Sequence, residues 1–180
     1  MSKNINALLA EVSKGCMDSF GELYDSLADR VFNYARTITK NKEMAEDVTH
    51  DIFLQTHKHA TQIAKMAEPV AYIMVSTRNH SYNMLKREKW VTELQADVID
   101  ISSITSAYNR LLFEDAFSSL PANQREVVYL HLICGYMHKD VALIQNVPLV
   151  TVKWRYGQAL SKLKGYFNQN DMEEKCDERV

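Results

Sequence analysis

The chain has 180 residues and a mass of 20.7 kDa, room for one ordinary domain or two small ones. Only five Gly and three Pro, with 46% apolar and 24% charged residues, exclude a turn-rich sandwich and a wholly disordered chain and point to helices. A net charge of -2 excludes binding to nucleic acid by bulk attraction, so the distribution of charge decides: residues 168–180 form an acidic tail of -3, and cations gather at 78–89 and 153–164.

A short helix is expected near residues 5–13. Phe20, Leu23, Tyr24, Leu27, Val31, Tyr34, Ala35 and Ile38 then keep helical spacing over about five turns. Asn41 suits the cap of a third helix, with Met44, Ala45, Val48, Ile52 and Phe53 on its buried side and Glu43, Glu46, Asp47 and Asp51 loading its opening turns with acid. After a polar stretch, 60–68, Pro69 suits the first position of a helix running through Tyr72, Ile73, Ser76 and Tyr82 to about Lys89. Residues 1–90 thus make a four-helix unit.

The pattern breaks over 90–109, where Glu93, Asp97 and Asp100 precede a run of Ser and Thr. Such length without structure is unusual inside one domain and argues for an acidic, flexible linker between two. The second unit begins near Leu111, with Pro121 opening a helix through Ile133 and Gly135 stopping it. Residues 136–163 follow as two short helices around a reversal at Asn146, the outline of a DNA-reading helix-turn-helix. In its second helix Val152, Tyr156, Ala159 and Leu163 form a buried stripe, and Lys153, Arg155, Lys162 and Lys164 lie away from it. A plain helical hairpin with a solvated basic side explains the same residues.

Three motifs now stand together: AEDVTHDIF at 45–53, STRNHSYNMLKR at 76–87, and LPANQREVVYLHLICGY at 120–136 leading into DVALIQNVPLVTVK. In order and spacing, over about residues 18–165, the set resembles the extracytoplasmic-function (ECF) group of RNA polymerase sigma factors. The resemblance implies an all-α chain: a promoter-melting domain at 1–90, a linker at 91–110, a helix-turn-helix domain at 111–167 and the tail at 168–180. It further implies a subunit without catalysis of its own that gives core polymerase its promoter specificity. Its partners would be promoter DNA, the clamp coiled coil of the largest polymerase subunit, the flap of the second-largest, and an anti-sigma factor.

Residue by residue, the resemblance gives Glu46, Asp47, His50 and Asp51 to the clamp, His50 standing where the family usually has Gln. The non-template strand of the -10 element would meet Lys65 and Met66 in the loop before the last helix, and Arg78, Asn79, Tyr82, Asn83, Lys86 and Arg87 along that helix, with Lys89 beyond. Single-stranded bases need such a cationic track and rings to stack on. Asn79 could equally bond within the helical unit, and Tyr72, at a usual Trp position, is expected in the core. Leu149, Val150, Thr151, Lys153, Trp154 and Gln158 would face the -35 element, while Arg155 holds phosphate or an acidic neighbour. Burial of Trp154 against the scaffold helix is as good an expectation as DNA contact.

The helix-turn-helix departs from the family pattern: Asn146 replaces the usual Gly, Pro148 the usual Ser cap, and Gln158 the usual Arg. Pro148 offers no side-chain acceptor, a loss on the order of 1 kcal/mol, unless it serves instead as the first helical residue. A weaker DNA reader that relies on its tether to polymerase is therefore expected.

Cys16, Cys134 and Cys176 form no CxxC pair, so neither a disulfide framework nor a metal site is expected, which suits a reducing cytoplasm. The first residues lack a signal peptide's apolar core, and the longest apolar run, 70–75, is too short to enter a membrane. No HExxH spacing, phosphate loop or nucleophile motif points to an enzyme or a cofactor. Two other readings use the same residues: a sigma-like regulator that has lost promoter melting, and a helical module that binds proteins only.

Overall fold

Apolar residues at steps of three and four resolve into helices throughout the described residues, 5–88 and 107–177, of the computed structural model, with side chains described for 5–88 and 113–168. No strand occurs among them, and the chain forms two compact units, Met1–Asp97 and Val98–Val180. The linker expected at 91–110 and Lys89 fall largely or wholly outside the described residues.

The first unit comprises α1 (Ile5–Val12), α2 (Met17–Thr39), α3 (Lys42–Lys58), a single turn α4 (Ala60–Ile63) and α5 (Pro69–Glu88). Its core gathers Leu8 and Leu9 of α1, Leu23, Leu27 and Val31 of α2, Val48 and Ile52 of α3, Ile63 of α4 and Ile73 of α5. Polar residues at buried positions are small hydroxyls that bond their own helix: Thr49 to the Ala45 carbonyl and Thr56 to Ile52, both at 2.7 Å, and Thr77 to Ile73 at 2.8 Å. These three hydroxyls are thereby satisfied without a partner from another helix, whereas Ser19 of α2 donates to the Glu11 carboxylate of α1 and the buried Arg36 Nε has no partner among the described residues. Phe20 and Tyr24 sit at the rim, their rings against Phe53.

Lys40, in the left-handed region at φ 56°, ends α2, and Asn41 starts α3 with its Oδ1 accepting the Met44 amide at 3.0 Å. An unreplaced cap costs about 1 kcal/mol, so Asn41→Ala should lower the melting temperature of this unit by about 4–8 °C in a circular dichroism melt. Asn41→Asp, which keeps the acceptor, should melt like the parent chain.

The second unit comprises α6 (Ala107–Ser118), α7 (Ala122–Val128) running on through a π-helical turn (Tyr129–Ile133), α8 (His138–Gln145) and α9 (Leu149–Asp177). Phe117, Leu120, Val127, Leu130, Val141 and Ile144 are buried here with Val152, Ala159 and Leu163 of α9. Buried Arg125 closes the α6–α7 corner by donating to the carbonyls of Leu120 at 2.8 Å and Ser118 at 3.3 Å.

Several boundaries differ from expectation. α6 opens at Ala107, ahead of Leu111. Pro121 and Pro148 both precede their helices and supply the first acceptor from the backbone: Pro121 to Gln124 and Arg125, Pro148 to Thr151 and Val152. Proline's fixed φ does not prevent the extended ψ of a cap position, so neither is the first helical residue. The second helix of the hairpin is also long, 29 residues, and enters the stretch taken as a tail. Asn146 makes the reversal at φ 53°, its amide and that of Val147 bonding back to Leu143 and Ala142.

Candidate nucleic-acid interface

The exposed side of α3 carries the acids in two flanks. Glu46 and His50 line a groove with Tyr24, Ala28, Asp29 and Phe32 of α2, and Glu46 lies 3.8 Å from Lys42. Asp47 is exposed, whereas the Asp51 carboxylate turns to α5 and meets His80 Nε2 at 3.0 Å. Asp51 thus ties α3 to α5. Leu54, one turn beyond and 55% exposed, adds an apolar residue to this acidic face that sequence reasoning missed.

On α5, steps of four and three bring Arg78, Asn79, Tyr82, Asn83 and Lys86 to one shallow concavity. The Arg78 guanidinium lies 4.8 Å over the Tyr82 ring, a stacked cation and π-face side by side. Asn79 is exposed, and Arg87 is exposed one residue further along. Lys65 and Met66 lie in the turn before α5, at its other end, so the geometry does not gather them with Arg78 and Lys86. Tyr72 is not a core residue: it is 42% exposed over a crevice with Ile63, Ile73 and Ser76, because the step from Ile73 leaves it on the outward side.

On α9, Leu149 and Val150 head the helix with Thr151 half-buried behind them, and Lys153, Trp154 and Gln158 are exposed. Trp154 does not pack on the scaffold; it is 61% exposed, two residues out of step with the buried stripe. Arg155 has an amide for its partner within the chain, not the acidic neighbour expected. Its guanidinium donates to Gln145 Oε1 at 2.9 Å, and Gln145 donates in turn to the Asn123 carbonyl at 3.4 Å, joining α9 to α8 and α7. The positive end of the helix dipole and Lys153 one turn in make the head of α9 attractive to phosphate.

One cluster has no counterpart in the sequence reasoning. His131, His138 and Tyr156 stack where the π-turn, α8 and α9 meet, the two imidazoles 4.0 Å apart and Tyr156 edge-on to both. His131 Nδ1 lies 2.7 Å from the Tyr136 carbonyl and so carries the proton there. Burial, and then His131 and Lys153, hold the His138 imidazole below the ordinary histidine range. A lowered folded value means that the unfolded chain takes up the proton first, so stability is full above about pH 6.5 and falls as pH drops below it. The parent chain should melt lower at pH 5.5 than at pH 7.5, and His138→Gln should shrink that difference.

No helix among the described residues is long and apolar enough to cross a membrane, and no group of three His, Cys, Asp or Glu there could hold a metal.

Residues 23–91 match the family profile of sigma-70 region 2, and residues 110–163 that of sigma-70 region 4. The chain is 23% identical over 175 residues to the ECF RNA polymerase sigma factor SigK of Mycobacterium ulcerans, covering 91% of this chain and 93% of that one. Likeness to ECF sigma factor SigM of Bacillus subtilis is 22% over 157 residues, 82% of this chain and 94% of that one. Among solved structures, the sigma factor RpoE of Bartonella quintana, bound to the anti-sigma factor NepR, superposes with a TM-score of 0.71 at 22% identity over 83% of this chain and 96% of that one. CnrH, bound to the cytosolic domain of CnrY, gives 0.65 at 17% identity over 91% and 97%.

Proposed function

The chain belongs to the sigma-70 family, in its ECF group, and is a sigma factor that directs transcription initiation; from that premise we propose how its parts divide the work. The acidic face of α3, Glu46, Asp47 and His50 with Leu54 beside them, docks on the basic clamp coiled coil of the largest polymerase subunit. The concavity of α5 takes the displaced strand of the -10 element, Arg78, Lys86 and Arg87 following its phosphates and Tyr82 and Asn83 meeting bases, with Lys65 and Met66 meeting the strand further on. The head of α9 enters the -35 element, where the second unit also rests on the flap of the second-largest subunit.

The observation that carries this reading is the clustering on α5 of cations, amides and a stacked tyrosine, the chemistry a single strand needs, next to a separate acidic face on α3. A regulator without melting, or a protein-only module, would not need that cluster, and neither is favoured by matches to both sigma regions. NepR and the cytosolic domain of CnrY bind the related proteins, and an anti-sigma factor is the corresponding partner here. Run-off transcription from fragmented genomic DNA with core polymerase tests the assignment. Transcripts from a restricted promoter set should appear only with this chain present; their absence, with no binding to core polymerase at low salt, would refute it.

A further inference from the structure

We propose that this chain recognises its upstream promoter element through thymine 5-methyl groups packed on Val150 and Trp154 in the major groove. The inference rests on the reading of α9 as the upstream-element reader and names the chemistry of that reading.

Val150 and Trp154 are one turn apart on the side of α9 away from Val152, Ala159 and Leu163, and they are 78% and 61% exposed. The core of the unit makes no use of them. Gly157, three residues after Trp154, lies on the same side, and a Cβ there would meet nothing within 4 Å. Gly is the least favourable residue but Pro in a helix interior, and its φ here is ordinary, so the fold does not require it. It leaves a gap beside the Trp154 ring through which a surface can approach the helix closely.

Charge identifies that surface. Lys153 borders the strip, Lys162 and Lys164 carry the positive charge about two to three turns further along, all three are exposed, and from 149 to 170 the helix carries no acid. A polyanion with apolar points matches the strip better than an apolar protein helix, which would gain nothing from three lysines. In the major groove thymine presents the one methyl group among the four bases, and apolar side chains read it by contact.

The test uses the full chain with core polymerase on a promoter found by run-off, with each thymine of the upstream element replaced in turn by deoxyuridine. That change removes the methyl group and leaves the hydrogen-bonding edge intact. Output should fall about fourfold at each contacted position, the worth of one buried methyl-sized group. A Val150→Ala, Trp154→Ala chain, with folding checked by circular dichroism, should transcribe less and should use thymine and uracil templates equally. Equal use of both templates by the parent chain, or discrimination retained by the variant, overturns the proposal. A scrambled upstream element separates the two levels of inference. If scrambling abolishes output but uracil does not lower it, the thymine contact alone fails; if scrambling changes nothing, the assignment of α9 fails with it.

Discussion

Glu46→Lys with Asp47→Lys should reduce the affinity for core RNA polymerase by at least about a hundredfold while leaving the helical content and melting of the chain nearly unchanged. A like charge set against a basic partner costs several kcal/mol, and a factor of ten in affinity costs about 1.4 kcal/mol. Against this, both side chains are exposed, and the Lys42–Glu46 pair that is lost lies at 3.8 Å in solvent, worth about 0.3–0.5 kcal/mol. Binding therefore responds strongly and stability weakly. Titration of labelled chain with core polymerase at two salt concentrations reads the effect. Unchanged affinity would remove α3 from the docking surface. Asp51→Ala should act differently, lowering stability as well, because its carboxylate braces α5 through His80.

The second large effect belongs to α5. In an Arg78→Ala, Tyr82→Ala chain, open-complex formation on a duplex promoter should fall by about a hundredfold, with assembly on core polymerase intact. A base stacked on an aromatic ring is worth about 1–3 kcal/mol, and the guanidinium 4.8 Å over that ring is the proposed phosphate contact, removed in the same chain. Permanganate footprinting of unpaired thymines measures opening directly. A template already opened over the -10 element should recover part of the loss, since the cost of unpairing is then removed. If opening proves normal, the Arg78–Tyr82 pair only steadies the helix surface. Lys86→Ala with Arg87→Ala should give a smaller loss and a flatter salt dependence, by about 0.7 in the logarithmic slope for each phosphate released.

What the sequence disclosed follows the range of the interactions involved. Asn41 and, in the stripe of Val152, Tyr156, Ala159 and Leu163, all but the half-buried Tyr156 were legible because a cap and a helical stripe are set within a few residues. The same stripe, followed through, placed Trp154 on the outside; only the habit of burying a large ring argued otherwise. Tyr72 was misjudged for the same reason. Arg155 and Asp51 were opaque for another: their partners, Gln145 and His80, come from other helices and can be named only once the helices are packed. The stripe of α3 likewise put Leu54 on the outside, whereas the His131–His138–Tyr156 stack lacked any local signal because its rings come from three elements. The helices that carry both sites proposed for DNA were legible, and with them which residues share an exposed side.

Arg155 is the one arginine in the whole of α9, and it holds Gln145. Guanine is most often singled out by an arginine that grips two of its acceptors at once, and a lysine offers only a point charge in its place. With Nη1 of this half-buried arginine given to Gln145, a two-acceptor grip on guanine is weakened, and on the proposed reading of α9 guanines in the upstream element are tolerated more than they are chosen. On that reading, promoters served by this factor would be free to drift at G·C positions over evolutionary time without leaving its control.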